Sequence, residues 1–336
     1  MGRYLLSRFF QVIPTVLGVI VIVFLLVRVI PGDPAGLIFS PGSIVSPEAL
    51  ARIRHEMGLD MPIWRQFLDY LGRALQGNLG TSYQTNTPVL EQILRAAPTT
   101  IELTVGAMIV AILLGVTAGV VSAVKQYSPL DYGTIFVASI GMSAPVFWMG
   151  LVLIVLFAVG LGWLPASGRV DARAQFVTVT QFYLFESLIR GDWTVLSDSV
   201  RHLILPSIAL GFNLAAMIAR MTRSCMLDVI KQDYVTTARA KGLAERVILL
   251  RHTLRNALLP IVTILGLQLG YLLSGAVFTE TVFNLPGLGT LLVRSIFSRD
   301  YPTVQGVVLF ISVVFVLLNL LVDLLYAHLD PRVRYA

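Results

Sequence analysis

Long apolar runs, each bounded by charged or turn-forming residues, dominate the chain. Six approach membrane-crossing length: Val12 to Ile30, Leu103 to Val124, Ile135 to Leu161, Leu203 to Ile218, Leu258 to Phe278 and Val304 to Leu325. A bilayer core of about 30 Å is crossed by roughly 20 helical residues at about 1.5 Å each. Proline or a single polar residue inside a run is tolerated where neighbouring helices satisfy the freed backbone groups. The pattern predicts an all-α, polytopic membrane protein with six transmembrane helices.

The stretch between the first two runs carries helical rather than slack patterning. Ser46 and Pro47 suit a helix start, Leu50, Ile53 and Met57 share a face, and Gly58 suits the stop. A second amphipathic stretch opens at Asp60 and Pro62, repeats Trp64, Phe67, Leu68, Leu71 and Leu75 at helical spacing, and closes at Gly77. This predicts an external, partly helical loop after helix 1. Its helices either lie on the membrane face and pack on the bundle or dock an external partner through Trp64, Phe67 and Tyr70, and the two roles are compatible. Gly162 to Arg201 has weak periodicity and is expected to hold little structure. The N-terminal run follows Arg3 and Arg8 as a secretory signal does. It is too long for one and ends in Pro31-Gly32-Asp33-Pro34 without a small-x-small site, so it reads as an uncleaved span. The chain thus divides into an N-terminal helix with its external amphipathic segment, residues 1–98, and a five-helix core, residues 99–336, which contains a cytoplasmic loop over 219–257.

Composition agrees: 56% of residues are apolar and 13% charged, with a mean hydropathy of +0.80. The net charge of +6 is informative only by position. Basic residues form no continuous stripe, which argues against nucleic-acid binding. All three lysines, Lys125, Lys231 and Lys241, fall in segments that are cytoplasmic if the N-terminus is inside. Ala219 to Ala257 adds Arg220, Arg223, Arg239, Arg246, Arg251 and Arg255. Both termini are therefore expected in the cytoplasm. The nine arginines of the two long external segments are offset by ten acidic residues and weaken this only slightly.

Candidate chemistry is sparse. No lysine follows a glycine, so there is no phosphate-binding loop for ATP. The histidines, His55, His202, His252 and His328, lack ligand spacing, and the single Cys225 excludes an intrachain disulfide or a cysteine metal cluster. Ser143 in Gly141-Met142-Ser143-Ala144-Pro145 has no second glycine or membrane-borne histidine to make it a nucleophile. No catalytic or metal site is assigned, and no cofactor is expected in this chain. Ionisable residues near spans are few: Arg28, Glu102, Glu280 and Asp323 serve topology, helix pairing or a proton relay. Neutral Ser139, Ser143, Asn213, Gln268, Ser274 and Asn319 bridge helices or line a wet pathway for a polar solute, and the first five are the translocation candidates. Gly115 with Gly119, and Gly266 with Gly270, suit close helix contact, while Pro145 and Pro206 are expected to bend their helices. Between runs four and five, Val229, Tyr234, Val235 and Ala238 alternate with charges, Gly242 interrupts, and Val247, Leu250, Leu254 and Leu258 resume, which predicts two short amphipathic helices around a glycine. The residues alone leave open an ion-coupled carrier, a membrane enzyme and an ATP-driven permease.

Tyr234-Val235-Thr236-Thr237-Ala238-Arg239-Ala240-Lys241-Gly242-Leu243, followed by Leu254-Arg255-Asn256-Ala257-Leu258-Leu259-Pro260, resembles the cytoplasmic loop of ABC importer permeases of the dipeptide, oligopeptide and nickel branch. The Glu that opens the wider importer pattern is Thr236 here, a substitution usual in the peptide branch. Ile30-Pro31-Gly32-Asp33-Pro34, Met57-Gly58-Leu59-Asp60, Ala219 to Ser224, Glu280-Thr281-Val282-Phe283 with Pro286-Gly287-Leu288-Gly289, and Arg299-Asp300-Tyr301-Pro302 are similar to the same branch. The resemblance covers nearly the whole chain outside Gly162 to Ser199. It implies a type I ABC importer permease-like fold in a bacterial inner membrane, and a coupling helix in which Thr237, Ala238, Ala240, Lys241, Gly242 and Leu243 meet an ATPase. It further implies a related second permease subunit, two cytoplasmic ATPase subunits that use ATP and Mg, and an external substrate-binding protein. Members carry peptides, glutathione, nickel chelates and some sugars.

Overall fold

In a computed structural model the protein is described over residues 2–29, 46–56, 60–171 and 176–329. The described residues are helical apart from loops and one isolated antiparallel bridge between Thr81 and Pro88. The helices are α1 (Gly2–Val29), α2 (Pro47–Glu56), α3 (Ile63–Leu75), α4 (Val89–Val124), α5 (Pro129–Ser143), α6 (Val146–Leu153), α7 (Tyr183–Arg190), α8 (Trp193–Ile230), α9 (Asp233–Ala240), α10 (Glu245–Val247), α11 (Arg255–Val282), α12 (Leu288–Phe297) and α13 (Tyr301–Leu329). Two π-helical turns, Ile154–Gly160 and Ile248–Leu254, extend α6 and lead into α11. Among the described residues Val89–Val124, Trp193–Ile230 and Tyr301–Val322 are long and apolar enough to cross a bilayer unbroken, and α1 contains a shorter apolar stretch, Val12–Leu25.

One sequence expectation holds and one needs correction. The third run bends at Pro145 as expected, and sharply, because α5 and α6 meet at 112° across Ala144 and Pro145. Proline has no N–H to bond the carbonyl four residues back, so the helix breaks there. Pro206 causes no such break, and α8 runs through it from Trp193 to Ile230. The correction concerns Gly162 to Arg201, which is more ordered than its periodicity suggested: it contains α7, and α8 begins at Trp193, well before the apolar run. The pattern of α7 is hard to read because it is inverted. Glu186 and Ser187 are buried, while Phe185, Leu188 and Ile189 are exposed.

The chain forms two compact units, residues 98–289 and residues 1–97 with 290–336. In the second of these, α1 packs on α13 and α3. Phe24 of α1 meets Phe67 edge-on at 5.2 Å and Tyr70 at 5.8 Å. Asp300, buried ahead of α13, accepts from the Ser82 hydroxyl (2.5 Å), the Tyr83 amide (3.0 Å) and the Thr303 hydroxyl (2.7 Å), tying the loop before α4 to the start of α13. That explains the Arg299-Asp300-Tyr301-Pro302 motif. Met57 to Leu59 and Ile30 to Pro34 lie outside the described residues, as do the side chains of Arg3, Arg8, Arg28 and Asp323 and the whole of Arg332 and Arg334.

In the unit 98–289, α8 is central and packs against α5, α6, α7 and α11. Its buried Leu205, Leu210, Leu214 and Ile218 share a core with Leu103 and Ala107 of α4 and Ile261 and Leu272 of α11. Gly115 and Gly119 set the approach of α4 to α8 as expected: a Cβ on Gly115 would lie 2.7 Å from the Ala215 carbonyl, and one on Gly119 2.6 Å from the Ala219 carbonyl. Neither neighbour is a flexible side-chain tip, so the helices themselves would have to part. Gly119→Leu should therefore cost about 1–3 kcal/mol through overpacking. The purified variant is expected to melt several degrees below the parent in detergent, whereas Gly133→Leu, where a Cβ would meet nothing within 4 Å, should melt with it.

Candidate functional site: a glycine-capped knob and a broken-helix cleft

The knob begins two residues after α8. Gln232 is extended, Asp233 starts α9, and the Thr237 hydroxyl donates back to the Asp233 carbonyl at 2.9 Å. At the far end Gly242 takes φ +76°, a left-handed conformation that suits glycine because it has no Cβ. Its amide donates to the Arg239 carbonyl (2.9 Å) and the Leu243 amide to the Ala238 carbonyl (3.3 Å). This paired pattern is a Schellman stop, which ends α9 sharply and redirects the chain into α10. Val235 and Ala238 are buried against Ile248, and Arg239 bridges the turn to Glu245 through contacts of 3.2 and 2.7 Å. The guanidinium holds the Glu245 carboxyl below the usual carboxylate range.

Of the coupling candidates, Thr237, Ala240, Lys241, Gly242 and Leu243 are exposed, and Ala238 faces inward. Tyr234, Val247 and Leu250 are exposed too, so the outer face of the knob is partly apolar. Asn256 donates to the Tyr234 phenol oxygen (2.8 Å) and to the His252 carbonyl (3.1 Å), bracing α9 against the start of α11. Sequence reading quoted Asn256 within a motif without assigning it this work.

The second feature is the cleft at the α5–α6 break, about 560 Å³, lined by Phe136, Ser139, Ile140, Ser143, Ala144, Pro145, Phe147 and Trp148. Ser139 and Ser143 thus share one surface, their hydroxyls donating back to Ile135 (2.9 Å) and Ser139 (3.0 Å) carbonyls. Asn213 stands beside it and donates to the Gly141 carbonyl at 3.1 Å. Gly141 is the residue four before Pro145, so Asn213 supplies the hydrogen bond that the proline cannot. Gln268 and Ser274 are on α11 and outside that lining. Gln268 contacts the Met217 sulfur at 3.3 Å, and Ser274 its own helix at Gly270. Of the external candidates, Trp64 is exposed, while Phe67 and Tyr70 are half-buried.

Charged side chains of the same unit are spent on structure. Arg169 reaches Glu102 at 2.5 Å with both side chains buried, lies 4.3 Å over the Tyr183 ring, and leaves Glu102 to accept from the Leu184 amide (2.9 Å). Glu280 accepts from the Thr100 hydroxyl (2.6 Å) and the Gly289 amide (2.7 Å), and Gly287 has no room for a Cβ beside its carboxylate. Both acids therefore fasten loops to span ends. No group of three or more potential metal-ligating His, Cys, Asp or Glu side chains occurs among the described residues.

A helical membrane bundle with a cleft at a broken span and a braced knob between two of its helices defines a transport subunit rather than an enzyme. The chain belongs to the family of binding-protein-dependent transport system inner membrane components, matched over residues 111–335, with the N-terminal component of the same family matched over residues 1–104. It is 45% identical to a dipeptide transport system permease protein of Alkalihalophilus pseudofirmus, over the full length of both chains. It is 46% identical to a di/tripeptide transport system permease protein of Pseudomonas aeruginosa (100% of this chain and 99% of that one), and 41% identical to a glutathione transport system permease protein of Escherichia coli, over the full length of both. The chain is thus an ABC importer permease, and the sequence resemblance is sound.

The segment around α7 offers a pH test. The Thr180 hydroxyl, the Thr180 and Val179 amides and the Arg190 guanidinium hold the Glu186 carboxyl down to about 2, against an ordinary 4.5. A depressed acid contributes stability that is present above its unfolded value and lost as pH falls through the folded one. Amide exchange at Val179 and Thr180, corrected for intrinsic rate, should be slow at pH 5 and accelerate between pH 4.5 and 2. Glu186→Gln should remove most of that dependence.

Proposed function

We propose that the chain imports di- or oligopeptides into the cytoplasm by alternating access, as one of two related permease subunits in a bacterial inner membrane. It crosses six times with both termini cytoplasmic, the N-terminal helix and external segment (1–98) forming a module ahead of the five-helix core (99–336). The bent pair Pro129–Ser143 with Val146–Gly160 counts as one crossing, α11 supplies another over Leu258 to Phe278, and α1 supplies the sixth. Two cytoplasmic ATPase subunits, which use ATP and Mg, receive the knob through Thr237, Ala240, Lys241, Gly242 and Leu243, with Ala238 seating it. An external binding protein delivers solute, with Trp64, and Phe67 and Tyr70 beneath it, as the docking region. Ser139, Ser143 and Asn213 at the broken span, with Gln268 and Ser274 on α11, line the route. The full-length identity of 45–46% to peptide permeases carries the cargo assignment; the glutathione relative keeps that tripeptide as the second cargo to test.

Two measurements test this reading. With Cys225 replaced, single cysteines at Asp69 and Thr178 should react with an impermeant thiol reagent added outside, and one at Lys231 should not; the reverse pattern would invert the topology. The knob is tested by Gly242→Trp. A Cβ there meets nothing within 4 Å, and the left-handed backbone costs a non-glycine residue about 1 kcal/mol. Assembly should therefore survive while peptide uptake by reconstituted vesicles falls at least tenfold. Normal uptake with normal ATP consumption would remove the coupling role.

A further inference from the structure

The antiparallel helices α5 and α8 are pinned together at both ends of α5, and the two pins are in register. At the inner end Asp131, buried at 1% exposure, accepts from Arg223 Nε and Nη2 of α8 at 2.7 and 2.8 Å. The same carboxylate accepts from the Ser122 hydroxyl, which fastens the end of α4 to the pair, and from the Tyr127 amide at 2.9 Å. At the outer end Asn213 of α8 holds the Gly141 carbonyl of α5. Ten residues separate the pins on each helix, from 131 to 141 and from 213 to 223, which is about 15 Å of helix on both sides. At the outer pin the helices are close: a Cβ on Gly141 would lie 2.9 Å from the Phe212 ring and 3.1 Å from the Ala216 Cβ. Among the described residues no such carboxylate–guanidinium pair spans the 112° bend, where α5 gives way to α6 at Ala144 and Pro145.

A bidentate arginine–carboxylate pair fixes both distance and angle, and breaking it would leave Asp131 buried without its countercharge. The α9 knob follows α8 after only Lys231 and Gln232, and Met226 of α8 packs with Ala123 of α4 and Ala257 of α11 just above it. Displacement of the knob therefore reaches α8 through this two-residue link, as it reaches α11 through Asn256. We infer that Asp131 and Arg223 are positioning residues for transport: they make α5, with Ser139 and Ser143 on its cleft face, travel with α8 as one body, so that the compliant joint of the pathway is the Ala144–Pro145 bend. This rests on the transport reading above and adds to it which helices move together.

The complete transporter, reconstituted with its ATPases and binding protein and supplied with a radiolabelled dipeptide, provides the test. At matched abundance of assembled complex, Arg223→Met should keep ATP hydrolysis within twofold of the parent while uptake falls tenfold or more, so that peptide moved per ATP collapses. Arg223→Lys, which keeps the charge but not the two-point contact, should fall between. A merely structural pair would lower the amount of complex and leave that ratio alone. The second arm is independent of the first: in a Cys225→Ala background, Gly141→Cys with Ala216→Cys sets the two Cβ atoms 3.1 Å apart. With the Phe212 ring, 2.9 Å away, turning aside, a slight parting of the helices brings them to the roughly 3.5–4.5 Å of a disulfide. Oxidised transporter should import as fast as the same protein reduced, because the bond joins parts that already move together. Unchanged peptide-per-ATP in Arg223→Met, or transport blocked by oxidation of the pair, overturns the inference while leaving the transport assignment standing. Absence of ATP-driven uptake by the unmodified transporter overturns the transport assignment, and the inference with it.

Discussion

Inside a bilayer a backbone carbonyl that loses its helical partner must find another donor, because no bulk water is there to supply one. The break at Pro145 creates that demand, and Asn213 meets it at the Gly141 carbonyl. One amide side chain thus permits a 112° bend that would otherwise leave a polar group stranded. The cleft, the placement of Ser139 and Ser143, and the close seating of α5 on α8 all follow from that arrangement. Without a donor at position 213 the proline would still break the run, and the Gly141 carbonyl would be left without the partner that Pro145 cannot supply.

The sequence made the bundle legible because the physics of lipid is coarse. Runs of apolar residues identify crossing helices, and Gly115 with Gly119 announced a close contact that the structure places against Ala215 and Ala219. The knob was legible for a different reason: a glycine between two short amphipathic stretches admits few conformations, and Gly242 adopts the left-handed one that ends a helix. What escaped was whatever depends on pairing between distant residues. Asp131 with Arg223, and Glu102 with Arg169, are separated by long stretches of sequence, and nothing local marks either acid as buried. Helix α7 escaped because it reverses the rule by which helices are found, turning Glu186 and Ser187 inward and its apolar residues outward. The break in the third run was half legible, since Pro145 predicted a bend but its size is set by what α8 offers across the gap.

The charged residues follow a consistent division of labour. Those buried in the unit formed by residues 98–289 are tied to backbone amides, hydroxyls or a guanidinium, and each fastens a loop or a helix end. Those on the knob are exposed, and only Arg239 with Glu245 bridges its turn. Buried ion pairs contribute little net stability because desolvation offsets most of the attraction, but they enforce one geometry over its competitors. A protein that must alternate between shapes benefits from having its fixed parts fixed in this way, since the freedom that remains is confined to a few joints.

The length of α8 adds a further consequence. Thirty-eight residues form one helix, about 57 Å at the usual rise, nearly twice the hydrocarbon thickness it has to cross. Its turns are hydrogen-bonded on either side of Pro206, which has no N–H to give. The helix is thus two stiff lengths joined at one weaker turn, and any twist along it is taken up there first.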